Sequence, residues 1–162
     1  MTWGEAAFFI FCVGMCFVNF KATLFIFIIP FLFARMVMML GNWAQHAFVN
    51  PVDFDDNTIN CINTKYNQTC WNDGYHAVHH IRPALHYTEI PNEFLKNLHQ
   101  FAEKKIFTFD GIHYLHIFTW LMTKRYDKLA RNIVNVNNMW SNEQEVIALM
   151  KERTRKINTA TA

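Results

Sequence analysis

Hydrophobic and polar positions divide the chain near residue 40. Residues 6–20 are almost wholly apolar, and residues 22–40 are interrupted only by Pro30 and Arg35. As helices these stretches reach about 22 and 28 Å, close to the roughly 30 Å hydrocarbon core of a bilayer. The pattern predicts two short membrane spans in a hairpin that turns near Asn19-Phe20-Lys21. One long tilted helix across residues 6–40 satisfies the same hydropathy. Arg35, near the end of the second stretch, is placed to snorkel toward an interface. Residues 52–71 carry Asp53, Asp55, Asp56, Asn57, Asn60, Asn63 and Asn67, which are turn formers, and read as loop. Residues 93–106 alternate apolar and charged groups at helical spacing, with Phe94, Leu95, Leu98, Phe101 and Ala102 as the stripe to be buried. Residues 111–132 form a second amphipathic stretch, with Ile112, Leu115, Ile117, Phe118, Leu121 and Met122. Ser141-x-x-Gln144 reads as a capping box opening a last helix to about Ile157, after which residues 158–162 should fray. The expected fold class is all-α. A membrane helical hairpin (6–40) leads into a histidine-bearing region (41–95) and a helical tail (96–162), both cytoplasmic.

Charge changes this picture by giving it an orientation. Residues 1–50 contain only Glu5, Lys21 and Arg35, whereas 13 of the 15 Lys and Arg lie from Lys65 onward. By the positive-inside tendency, the part after Leu40 is cytoplasmic and a hairpin returns Met1 to the same side. A signal peptide fits poorly, because Glu5 is acidic and a second apolar stretch follows the first. The net charge of +2 is spread along the chain, so nothing points to nucleic acid. The basic run Lys124, Arg125, Lys128 and Arg131 suits packing onto the soluble part or contact with anionic lipid. Cys12 and Cys16 lie in the apolar run, and Cys61 and Cys70 match no common zinc or redox spacing.

The candidate chemistry lies in Asn72-Asp73-Gly74-Tyr75-His76-Ala77-Val78-His79-His80-Ile81-Arg82-Pro83. Asn72 or Asp73 suits an N-cap, and Pro83 disfavours helix at Arg82, so a short helix fits between them. Positions three and four after His76 share its face, which groups His76, His79 and His80. Three adjacent imidazoles are costly when protonated together and easily accommodated when neutral and bound to a metal. Upstream, Asn42 and His46 are four residues apart in a segment that suits a membrane interface and is closed by Pro51.

These residues resemble a known family. His76-x-x-His79-His80 looks like the third histidine box of the membrane fatty acid desaturases, the di-iron acyl desaturases and hydroxylases. Asn42-x-x-x-His46 is similar to the Asn and His element between that family's last transmembrane hairpin and its third box. The hairpin, the Asn42–His46 segment and the box occur in the family's order over residues 6–95. The resemblance implies two irons held largely by neutral imidazoles, which with O2 remove hydrogen from an unactivated acyl C–H bond. It implies His46, His76, His79 and His80 as iron ligands converging on one position, and Asn42 as holding a metal-bound water or supporting the site from behind. Asp73 would either cap the helix or orient an imidazole through its second nitrogen. Implied partners are a fatty acyl lipid or acyl-CoA, an electron donor such as cytochrome b5 or ferredoxin, and a membrane such as the endoplasmic reticulum.

The family also carries two earlier boxes ahead of the hairpin, whereas no histidine precedes His46 here. Four histidines do not fill the coordination of two irons. His86, His99, His113 and His116 are expected to pack or face solvent. The chain is therefore expected to correspond to the C-terminal half of a desaturase, inactive alone. The alternative is a catalytically silent membrane protein that keeps a partial metal site.

Overall fold

The computed structural model describes residues 3–50 and 58–155. The chain forms two compact units, Met1–Leu40 and Gly41–Ala162.

In the first unit, helix α1 (Trp3–Thr23) is broken at Asn19, whose φ of −156° and ψ of 99° are not helical. The Asn19 side-chain oxygen accepts the Ala22 N–H at 3.0 Å, and its carbonyl accepts the Thr23 hydroxyl at 2.8 Å. Asn19 thus interrupts the helix and caps the turn that restarts it. Residues on its two sides then meet. Phe11 packs on Phe27 with ring centroids 5.3 Å apart, Phe8 on Phe31 at 4.8 Å, and Glu5 accepts from Arg35 at 2.9 Å. Each pair steps outward from Asn19 in opposite directions, which is the arrangement of an antiparallel hairpin. The second arm begins with a π-helical turn, Leu24–Ile28, and continues as α2 (Ile29–Gln45). Arg35 places its charge beside Glu5 and over the face of Phe31 at 5.5 Å. Ile10, Phe17, Val18 and Met39 face outward. Trp3–Gln45 is long and apolar enough to cross a membrane, and outward apolar surface of this extent suits lipid better than water.

The second unit is mainly helical, with α3 (Lys65–Thr69), α4 (His76–Ile81), α5 (Ile90–Glu103), α6 (Tyr114–Met122), α7 (Tyr126–Arg131) and α8 (Glu143–Arg153). Two short strands, β1 (Asn60–Ile62) and β2 (Thr108–Asp110), pair in parallel with Cys61 opposite Phe109. Around them Phe48, Ile59, Phe107, Phe109, Ile117 and Leu129 form the main core. A second cluster packs Ala77 and Val78 of α4 against Phe94 and Phe101 of α5. That cluster fixes the back of the histidine helix.

Several expectations shift here. The part of the supposed loop from 58 on is ordered: Thr58 to Cys61 are buried, and Thr64 caps α3 by accepting the Asn67 N–H. Residues 51–57, including Pro51, and residues 156–162 lie outside the described residues; the last helix ends at Arg153, with Thr154 as its C-cap, short of the expected Ile157. Asparagines that read as turn formers are partly interior hydrogen-bonding groups; Asn63, at φ 55°, is a true turn. Leu95, Leu115 and Met122 are exposed, because the buried stripes of α5 and α6 are narrower than the apolar letters suggest. The stretch 111–132 breaks at Lys124, whose φ of 56° cannot continue a helix. The last helix is capped one residue later than expected: Asn142 accepts the Glu145 N–H while Glu145 accepts the Ser141 N–H, both at 3.0 Å.

Candidate metal centre

Two segments bring imidazoles together. The first is the end of α2, which closes in i to i−3 bonds, His46 N–H to the Trp43 carbonyl and Ala47 N–H to that of Ala44. His46 therefore sits on the turn that follows the helix. The helix itself ends at Gln45. The second segment is α4.

The start of α4 is built by residues distant in sequence. Its N-cap is Tyr75, whose side chain makes no capping bond, so neither Asn72 nor Asp73 plays the expected capping part. Asn60 of β1, fully buried, accepts the Ala77 N–H at 3.0 Å in their place and extends its amide toward Thr108. Asn67 accepts the Gly74 N–H and donates to the Cys61 carbonyl, both at 2.9 Å. Gly74 passes so close that a Cβ there would collide with the Asn67 amide oxygen and the Cys61 carbonyl. The Tyr114 hydroxyl donates to the Asp73 and Gly74 carbonyls.

On this base, His76 Nε2 lies 3.3 Å from His46 Nε2 and 3.2 Å from His80 Nε2. The three ligand atoms all fall within 4.8 Å of one another. Two imidazole nitrogens bound to one ion at about 2.0–2.1 Å, near the tetrahedral angle, stand roughly 3.3 Å apart. The two spacings from His76 match. His79 stacks on His76 with centroids 5.6 Å apart, but its nitrogen is outside this group. His79 borders a cavity of about 400 Å³ lined also by Tyr66, Trp71, Asp73 and Tyr75. Asn42, one helical turn before His46, is exposed.

The electrostatics suit a cation. Burial first, then the neighbouring His80, His46 and His79, lowers the His76 pKa to about 3. Burial, then His46 and His79, lowers that of His80. Both rings are neutral at neutral pH and present lone pairs. His76 Nδ1 is buried without a hydrogen-bond partner, and the nearest carboxylate oxygen, Asp73 Oδ1, is 4.0 Å away. The other Asp73 oxygen accepts from the Tyr66 hydroxyl at 2.6 Å and from Gln45 Nε2 at 2.8 Å. This donor set fits a transition metal with a taste for nitrogen. Cys61 is no competing ligand, because burial pushes its thiol up and keeps it protonated.

The other histidines are used elsewhere. His86 bonds Thr88, and His99 bonds Asn137. His113 caps α6 by accepting the Leu115 N–H at 3.2 Å, and His116 accepts the His113 N–H at 3.4 Å. Three residues of the basic run have local partners: Arg125 pairs with Asp127, Lys128 lies over Trp120, and Arg131 faces Glu143.

A family model for fatty acid desaturases matches residues 1–111. The chain belongs to the fatty acid desaturase family. No curated protein and no solved structure matches it. The matched span takes in the hairpin, the His46 turn, the histidine helix α4 and β2, and leaves α6 to α8 beyond it. Desaturases are metal-dependent, membrane-associated proteins that act on fatty acyl substrates, and His46, His76 and His80 form a group able to hold a metal ion. The residues missed by sequence reasoning, Asn60, Asn67 and Gly74, position this desaturase helix without touching the ion position. Their signal was present only as an unusual density of asparagine before the box.

Proposed function

We propose that this chain carries part of a di-iron centre that oxidises a fatty acyl chain with O2, by desaturation or by the related hydroxylation. One observation carries the reading. Ring nitrogens from two segments 30 residues apart converge at the spacing that a shared ion needs, in a chain of this family. His46, His76 and His80 would hold one iron. His79, on the cavity side, would serve the second. Asn42 would support the site from the turn before His46. Iron bound there would supply the redox chemistry that removes hydrogen from an unactivated acyl C–H bond. The chain's own residues keep His76 and His80 neutral, converge the ring nitrogens, and anchor α4 on an apolar face.

The acyl substrate would be a lipid or acyl-CoA, and electrons would come from cytochrome b5 or ferredoxin. The excess of Lys and Arg beyond residue 65 supports a cytoplasmic histidine region on a membrane such as the endoplasmic reticulum. Four histidines and one asparagine do not complete two iron sites, so further ligands would come from outside residues 1–162 and the chain would be inactive alone. A second reading is a catalytically silent membrane protein that retains a partial site. It is favoured by the gathering of only three histidines among the described residues.

Lipid analysis in a host lacking the product, supplied with a reductase and electron donor, separates the two. The first reading expects no new double bond from residues 1–162. It expects one when the missing histidines are supplied by a longer chain, lost again on His79→Ala. A longer chain that stays inactive favours the silent protein. A double bond made by residues 1–162 alone contradicts the ligand count.

A further inference from the structure

Asp73 stands between the two segments that supply the triad. One of its oxygens is held by Gln45, the residue next to His46, and by Tyr66 of α3. The other lies 4.0 Å from His76 Nδ1, a buried ring nitrogen with no other partner. The Tyr66 phenol remains a donor, because burial and its bond to Asp73 push its pKa up.

We propose that Asp73 is the positioning residue of the metal site: it accepts the His76 Nδ1–H and holds His76 Nε2, as a lone pair, toward His46 and His80. The inference rests on reading the triad as a metal site. A neutral imidazole carries one proton, so an Nε2 lone pair requires the proton on Nδ1. Buried polar groups need partners, and Asp73 Oδ1 is the acceptor at hand, about 1 Å beyond ordinary hydrogen-bond length. Metal-ligating histidines commonly pass their second N–H to a carboxylate, which fixes tautomer and ring orientation. Gln45 and Tyr66 restrain the carboxylate that would do this. Because Gln45 adjoins His46, the same carboxylate ties both ligand segments together.

The test uses the whole 162-residue chain in detergent micelles, labelled with 15N-histidine, at pH 7.5. His76 is assigned by loss of its signals in His76→Gln. Two-bond 1H–15N spectra of the metal-free chain are expected to show His76 protonated at Nδ1. Protonation at Nε2 would overturn the proposal, and this reading needs no Asp73 variant to fold. Co2+ is then titrated into wild type, Asp73→Asn and Asp73→Leu, with helix content checked by circular dichroism. Asp73→Leu is expected to lose about 10- to 100-fold in Co2+ affinity, and Asp73→Asn, which keeps an acceptor oxygen, to lose less. Equal affinities in all three would overturn the role. If wild type binds no Co2+ but His76 is protonated at Nδ1, the metal reading fails while the Asp73–His76 contact stands.

Discussion

His76 and His46 lie 30 residues apart in sequence, yet their Nε2 atoms are 3.3 Å apart. His76 also lies 3.2 Å from His80 and is the most buried ring of the three. It is the hub of the site. His76→Ala should therefore abolish measurable Co2+ binding, read by titration, while the secondary structure is retained. Binding at wild-type strength would show that the ion sits elsewhere.

His79 should behave differently. It lies outside the group of converging nitrogens and borders the neighbouring cavity. His79→Ala is expected to leave the binding of one ion nearly unchanged, whereas His80→Ala weakens it at least tenfold. A matching loss in the two variants would place His79 in the same set.

Much of this site was legible in sequence. Three histidines in five positions on a short helix, preceded by His46 at the end of an apolar hairpin, pointed to the group His46, His76 and His80 that is able to hold a metal ion. The helical period also explains why His79 stands apart from the other three nitrogens. His76 and His80, four apart, lie on one line of the helix, and His79, three from His76, is rotated to the other side of that line. The Asn19 turn was legible because a polar residue interrupts apolar arms. The scaffold under α4 was not. Asn60 and Asn67 are interior groups whose partners, Ala77, Thr108 and Gly74, are set by tertiary pairing, and a β1–β2 ladder of three residues leaves no periodic trace.

That scaffold gives a stability prediction. Asn60→Leu removes the acceptor for the Ala77 N–H at a fully buried position. Stranding a buried donor costs about 1–3 kcal/mol, so thermal denaturation should shift down by several degrees. Co2+ affinity should fall with it, because the start of α4 is freed. No shift in the melting temperature would mean that α4 is held by its apolar face alone.

Gly74→Ala tests the same region by crowding. The added Cβ meets the Asn67 amide oxygen and the Cys61 carbonyl, one of which is backbone. Overpacking of this kind costs about 1–3 kcal/mol. Denaturant titration should show the loss, and Asn67→Ala combined with Gly74→Ala should lose less than the sum of the two single changes.

The helix cap at His113 gives a pH dependence. Burial first, then His116, lowers its pKa below the ordinary 6.5. A neutral His113 ring accepts the Leu115 N–H, which a protonated ring nitrogen cannot do. The folded state thus binds fewer protons than the unfolded chain below pH 6.5. The cap's contribution is complete above that value and is lost as pH falls through the lowered folded pKa. His113→Asn keeps a capping side chain without this titration, so its melting temperature should fall less between pH 7 and 5 than that of wild type. Parallel curves would contradict the cap.

The most direct test of the central claim is a Co2+ titration of the purified chain beside His46→Ala, followed by calorimetry and visible absorption. The claim is that a turn residue and a helix 30 residues later hold one ion together. It predicts one ion per chain for wild type, and at least a tenfold weaker affinity with altered absorption for His46→Ala. Equal affinity and an identical spectrum in the two proteins would contradict it.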